Sequence, residues 1–213
     1  MRRLGPSIFV CALALASGCQ AQEWRLGGVA GYGIGKSLTV TNPSGSASTG
    51  FKGGAALGAL VGHDLYDHLG GEFRYLYRFS DLKLSSGGTE VVFSGLSHAV
   101  HYDLLIFARD RGQSMRPYVA AGGGVKLYRG TGKEAAYQPL NKFAILTKTQ
   151  QVTGLLSLGG GLQFKLGSRV FLQAEFRDYL TPAPKQVIAP VGGAKLGGWV
   201  HDFVPLVGLS FGF

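Results

Sequence analysis

The chain ends in a stretch whose side chains alternate in character with a period of two. From Phe203 to Phe213 the odd-numbered positions are Phe, Pro, Val, Leu, Phe and Phe, and Gly208, Ser210 and Gly212 lie between them. Successive side chains of a β-strand point to opposite faces. The pattern therefore predicts a strand with one apolar, aromatic-ended face and one face of small residues. Such a face is turned either into a protein core or toward lipid.

The same alternation upstream places charged side chains on a single face of several predicted strands. Every second residue from Phe73 to Phe79 is aromatic, and Glu72, Arg74 and Arg78 lie on the opposite face. An arginine or lysine that faces lipid at the bilayer midplane costs about 2–4 kcal/mol, so we expect these charges to face inward. The predicted inward-facing charge network consists of Glu72, Arg74, Arg78, Asp103, Lys126, Lys165, Glu175 and Arg177.

Composition argues against helices. The chain contains 35 glycines, and glycine disfavours helix. Beyond the first residues, no segment approaches the ~18 to 20 consecutive apolar residues that a membrane-spanning helix needs. A closed sheet explains how a chain without long apolar runs can face lipid, because only every second residue has to be apolar.

Eight strands are predicted, at residues 24–34, 51–63, 70–81, 91–107, 117–129, 151–166, 169–180 and 199–213. Long polar connections alternate with short ones, and the long connections are 35–50, 81–90, 130–150 and 181–198. The predicted fold is all-β: an eight-stranded antiparallel up-and-down transmembrane β-barrel, with long loops outside and tight turns in the periplasm. Side chains can fill an interior of this size, so a wide pore is not expected. A soluble lipocalin-like barrel, with its charges outside, is the structural alternative.

The N-terminus has the features of a secretory signal peptide. Two arginines precede an apolar segment at 8–16, and small residues follow it. This segment is too short to span a membrane as a helix. We expect residues 1–21 to be removed, which leaves 22–213 as one barrel domain, although lipidation at Cys19 is an alternative. Both cysteines lie in the signal, so an ordinary cut leaves no thiol for a disulfide, a nucleophile or a metal site.

Motifs for chemistry are weak. Residues 30–37 (AGYGIGKS) match a relaxed phosphate-loop pattern, but the β-prone segment that follows cannot supply the helix N-terminus that phosphate binding needs. The turn that contains His63, Asp64, Asp67 and His68 is interpreted as solvated, with a weak metal site as the alternative. We predict no metal, no cofactor and no nucleic-acid binding.

Two further candidate sites are interpreted as non-catalytic. His101 and Asp103 share a strand face, and we interpret them as a structural pair. Ser94 and His98 lie about 13 Å apart along one strand, too far for a catalytic dyad. We therefore predict no catalytic residues.

Several segments resemble OmpA-like/OmpX-like outer-membrane β-barrel domains. They are 116–125 (RPYVAAGGGV), 159–179 and the terminal 207–213 (VGLSFGF). The resemblance implies a small monomeric barrel in the outer membrane of a Gram-negative-type bacterium. It also implies that Phe211 and Phe213 form the signal recognised by the barrel assembly machinery.

The function expected from the sequence is non-enzymatic: envelope integrity or surface interaction through the long loops. The loops are rich in lysine, and we expect outer-membrane lipid and lipopolysaccharide, whose phosphates are natural counter-ions, as partners. A narrow channel or carrier for a small solute is the first alternative. A lipid-modifying enzyme is the second.

Overall fold

The computed structural model describes residues 24–213, and all of the regular structure in this range is β. The strands are β1 (Trp24–Gly35), β2 (Leu38–Asn42), β3 (Gly45–Phe51), β4 (Gly54–Tyr66), β5 (Leu69–Phe79), β6 (Leu82–Ser86), β7 (Thr89–Phe93), β8 (Gly95–Phe107), β9 (Met115–Gly130), β10 (Ala144–Leu146), β11 (Gln150–Lys165), β12 (Val170–Pro182), β13 (Ile188–Pro190), β14 (Lys195–Leu196) and β15 (Trp199–Gly212). Within these residues, no helix has the length and apolarity needed to cross a membrane. The predicted signal peptide and Cys19 lie outside the described range.

Eight of these strands close into a barrel in the order β1-β15-β12-β11-β9-β8-β5-β4, and every neighbouring pair is antiparallel. The predicted eight-stranded up-and-down barrel is therefore confirmed. Six of the predicted strands agree with the structure to within two residues at each end, and two differ by more. The second barrel strand is Gly54–Tyr66 rather than 51–63, and the segment predicted as 91–107 is divided, because Thr89–Phe93 belongs to a different sheet.

The barrel wall is apolar outside and charged inside. Along β15, Val204 and Leu206 are buried, whereas Val207, Leu209 and Phe211 point outward with about half of their surface exposed. Exposed apolar side chains of this kind occur on all eight barrel strands, and a continuous belt of them fits lipid rather than water. The soluble alternative, which required the charges to be outside, is wrong.

The four long connections are not the polar loops that we predicted. They form a five-stranded sheet in the order β14-β2-β3-β6-β7 and the two-stranded pair β10-β13. We call residues 36–53, 80–94, 131–149 and 183–198 the cap. Its apolar core continues into the barrel mouth and consists of Leu38, Val40, Ala47, Phe51, Leu82, Leu84, Phe93, Tyr128, Leu140, Phe143, Ala144, Leu146, Ala183, Val187, Ile188, Leu196 and Val200.

The local sequence explains why the cap is ordered. Leu82 and Leu84 alternate with polar residues, so one face of β6 is apolar. The turn from β6 to β7 uses Gly87 and Gly88 at φ 57° and 82°, the conformation that a two-residue hairpin turn needs and that glycine adopts most easily. These short alternations look like polar loops in isolation, because each contributes only one or two apolar residues to the shared core.

Candidate functional site

The lumen contains three clusters of buried charges along the barrel axis. At the end of the barrel that carries the short turns, Asp64 accepts hydrogen bonds from Arg25 and Arg116, each at 2.9 Å. The guanidinium of Arg116 also lies 3.7 Å from the centre of the Phe107 ring. The interpretation of Asp64 as part of a solvated turn is wrong. β4 continues past residue 63, and this turns the Asp64 carboxylate into the lumen, where it is 1% exposed.

The middle cluster centres on two arginines whose side chains are fully buried. Arg177 donates to Glu175 at 2.8 Å and to Asp103 at 2.7 Å. Arg74 pairs with Glu72 and with Glu175, the latter at 2.5 Å. Each arginine therefore contacts carboxylates from more than one strand, and the cluster links opposite walls of the barrel.

Polar neighbours extend this middle cluster. Tyr118 donates to Glu175 at 2.8 Å, and Ser157 donates to Asp103 at 3.3 Å. His101 Nδ1 lies 3.2 Å from the Asp103 carboxylate, with both side chains fully buried. The expected pairing of His101 with Asp103 thus occurs within the lumen.

The third cluster lies toward the cap. The Asp202 carboxylate contacts Arg78 at 2.5 Å and Lys126 at 2.6 Å. Above it, Tyr128 and Thr181 share a hydrogen bond of 2.7 Å, and Tyr128 stacks on Phe51 of the cap. The charged lumen therefore passes directly into the apolar core of the cap.

Seven of the eight predicted lumen charges lie in these clusters, and Lys165 does not. Lys165 is partly exposed near the end of β11, with its ammonium 5.9 Å from the centre of the Phe171 ring. The prediction did not include Arg25, Asp64, Arg116 and Asp202. The signal that identifies Asp202 is its position between Val200 and Val204 on the inward face of β15.

Glycines leave the space that these side chains occupy. A Cβ on Gly159 would lie 2.6 Å from Cδ of Arg177, and one on Gly33 would lie 2.0 Å from Nε of Arg78. Distances this short are not found between real side chains, so a larger residue at either position would displace the arginine. The glycine cluster at 159–161 thus leaves room for long lumen side chains.

The remaining sequence candidates lie in structural settings. Residues 30–35 of the phosphate-loop match are part of β1. His98 points outward and its ring nitrogen lies 2.8 Å from the Tyr75 hydroxyl. In the described part of the chain, no group of three or more His, Cys, Asp or Glu side chains is placed to hold a metal ion.

Phe211 and Phe213 are exposed on the outer face, and their recognition by the assembly machinery stays a prediction.

Comparison with known proteins gives the same architecture. The profile of the outer membrane protein beta-barrel domain family matches residues 9–200. A sequence comparison with curated proteins found no match.

Three solved structures illustrate the likeness in fold. Neisserial surface protein A is 14% identical, with a TM-score of 0.53 and coverage of 91% of this chain and all of that one. Outer membrane protein OprG from Pseudomonas aeruginosa is 13% identical, with a TM-score of 0.54 and coverage of 92% and 98%. Outer membrane protein AlkL is 16% identical, with a TM-score of 0.56 and coverage of 100% and 97%.

Proposed function

Because the chain belongs to the outer membrane protein beta-barrel domain family, we propose that it is a non-enzymatic outer-membrane barrel that binds acidic polysaccharides at the cell surface through its cap. The observation that supports this most is the folded cap itself. Loops that serve only to connect strands do not need a shared apolar core, whereas an ordered surface holds side chains in fixed positions for binding. The barrel then acts as a membrane anchor for that surface.

The cap has an excess of positive charge. Its four segments contain eight lysines and three carboxylates, a net charge of +5. Two of these lysines lie beside the tip of the β2–β3 hairpin. Lys195 pairs with Thr41 in the sheet, and the carbonyl of Lys142 accepts a hydrogen bond from Asn42 at 2.7 Å. Lys142 and Lys195 are both exposed, so this tip favours polyanions by electrostatic attraction.

We expect the refolded barrel to bind dextran sulfate and not uncharged dextran. Reversing both charges, in Lys142→Glu/Lys195→Glu, should weaken binding about 10-fold at low ionic strength. The double variant Lys142→Arg/Lys195→Arg should bind like the wild type. Surface plasmon resonance on the detergent-solubilised protein measures these affinities.

A matched charge reversal at the other end of the barrel tests whether position matters. Lys165→Glu/Arg169→Glu changes the net charge by the same amount near the periplasmic β11–β12 turn, and it should bind dextran sulfate with nearly wild-type affinity. Equal loss in both charge-reversed variants would attribute binding to overall charge and refute a binding surface on the cap.

The lumen does not favour the channel alternative. Arg74 and Arg177 are fully buried where the barrel is filled, and the cap core lies above them. In planar bilayers we expect no discrete conductance steps from the purified protein, with a general porin reconstituted in parallel as the positive control. Reproducible single-channel steps that scale with protein concentration would overturn the proposal of a filled barrel.

A further inference from the structure

The outer wall contains an apolar groove where two barrel strands separate. The ladder between β11 and β12 stops at Leu156 and Leu180, although β12 continues to Pro182, which pairs with Trp199 of β15. Proline has no N–H to donate to a ladder, and Gly154 opposite it has no side chain. A groove of about 280 Å³ results, lined mainly by apolar atoms of Gly124, Gly154, Leu155, Leu156, Pro182 and Trp199.

A basic pocket lies beyond the groove, at the cap end of β9 and β11, two of the strands whose residues line the groove. Its volume is about 360 Å³, and its lining is Arg129, Gly130, Thr131, Lys148, Thr149 and Gln150. It therefore offers a guanidinium, an ammonium and two hydroxyls. Within residues 24–213 neither Arg129 nor Lys148 takes part in a salt bridge. The carboxylate of Glu134 lies nearby and accepts a hydrogen bond from the Lys148 amide at 2.6 Å, which leaves a net charge of +1 for these three groups.

The basic pocket and the apolar groove are placed to bind an amphiphile, with its charged headgroup in the pocket and an apolar chain in the groove. Gln150 and Gly154 lie four residues apart on the outward face of β11, a separation of about 13 Å. Trp199, at the edge of the groove, is the kind of residue that marks the interface between the apolar core and the headgroups of a membrane. The basic pocket is thus on the headgroup side of Trp199, and the groove faces the acyl chains.

We propose that this surface binds one phosphorylated, multi-acyl lipid of the outer leaflet, the lipid A portion of lipopolysaccharide. A phosphate occupies the Arg129–Lys148 pocket, where a guanidinium donates two parallel hydrogen bonds to an oxyanion. One acyl chain fills the groove beside Gly154. This site is distinct from the cap surface at Lys142 and Lys195, so either proposal can fail without the other.

The binding test uses the full barrel in phosphatidylcholine vesicles. The chain has two tryptophans, so a Trp24→Phe background leaves Trp199 as the only tryptophan, which is excited selectively at wavelengths that tyrosine does not absorb. We expect lipid A to change the Trp199 emission saturably, with native mass spectrometry detecting one bound lipid. Dephosphorylated lipid A should bind at least 10-fold more weakly, and inorganic phosphate alone should cause no change.

Two variants separate the headgroup contact from the acyl contact. Arg129→Gln/Lys148→Gln should weaken lipid A binding at least 10-fold and remove the preference for the phosphorylated lipid. Gly154→Leu should fill the groove and weaken binding of both lipids, because a Cβ at this position meets no heavy atom within 4 Å and the variant is expected to fold.

Matched controls lie elsewhere on the barrel. Gly28→Leu places the same side chain on the outward face of β1, where the nearest heavy atom to a Cβ is 3.6 Å away. Lys165→Gln/Arg169→Gln removes two charges near the periplasmic end. Both controls should bind lipid A within twofold of the wild type. Equal affinities in all variants, or binding explained by inorganic phosphate alone, would overturn the proposed lipid site.

Discussion

Arg177→Met will destabilise the folded barrel by about 3–5 kcal/mol, the usual cost of removing one partner from a buried ion pair. Arg177 contacts the carboxylates of Glu175 and Asp103 at 2.8 and 2.7 Å, and all three side chains are fully buried. Arg74 remains to neutralise Glu175. Of the polar side chains within 3.5 Å of the Asp103 carboxylate in residues 24–213, His101 and Ser157 remain. A carboxylate in that position has lost its strong cation and has no access to water.

The loss should be partly reversed by neutralising the carboxylate that is left behind. Arg177→Met/Asp103→Asn removes both charges of one pair, and the second substitution should therefore recover part of the stability. Unfolding by urea in lipid vesicles, followed by tryptophan fluorescence, measures the three free energies. Loss of the heat-dependent shift in gel migration gives a second readout, should the single variant fail to refold.

Lys165→Met is the matched control, since the sequence pattern assigns Lys165 to the same network and the structure does not. Its stability should change by less than about 1 kcal/mol, as is typical for a partly exposed lysine. If Lys165→Met and Arg177→Met lower the free energy of unfolding equally, the conclusion that only Arg177 belongs to a stabilising buried cluster is wrong. If neither has an effect, the middle cluster does not stabilise the barrel.

The behaviour of Lys165 shows how far the sequence determines the lumen. Period-two alternation assigns a side chain to a face, and seven of eight predicted charges do lie among buried partners. Alternation does not give height along the barrel axis. Lys165 is near a strand end, where its long side chain reaches toward solvent. Asp64 shows the opposite error, because a strand that ends at residue 63 in the prediction continues to Tyr66.

Pairing partners could not be predicted because they depend on barrel closure. Lys126 and Asp202 are 76 residues apart and meet only because β9 and β15 belong to one closed ring. The cap was missed for a related reason. No single connection has enough apolar residues to form a core, and the pattern becomes visible only when β2, β3, β6, β7, β10, β13 and β14 are placed together. The apolar groove beside Gly154 could not be predicted either, because its position depends on where the ladder between β11 and β12 ends.

Leu84→Asp will unfold the cap and leave the barrel intact. Leu84 is 1% exposed within the apolar core of the cap, and burying a carboxylate there without a partner costs several kcal/mol. The barrel strands are connected by their own ladders and lumen charges, so they should persist. We expect trypsin to cleave the cap at its lysines about 100-fold faster than in the wild type, as a loss of about 3 kcal/mol in local stability implies. The heat-dependent gel shift of the barrel should remain.

Val92→Asp is the control on the same hairpin. Val92 lies on β7, opposite Lys83 in the β6–β7 ladder, and is 44% exposed on the outer face. It should accept a charge with little change in trypsin sensitivity. If trypsin cleaves the cap at the same rate in Leu84→Asp and Val92→Asp, the assignment of Leu84 to the buried face of the hairpin and Val92 to the exposed face is wrong. Leu84→Asp should also lose dextran sulfate binding while it keeps Lys142 and Lys195, because a binding surface on the cap requires those lysines to be held in place by the core beneath them.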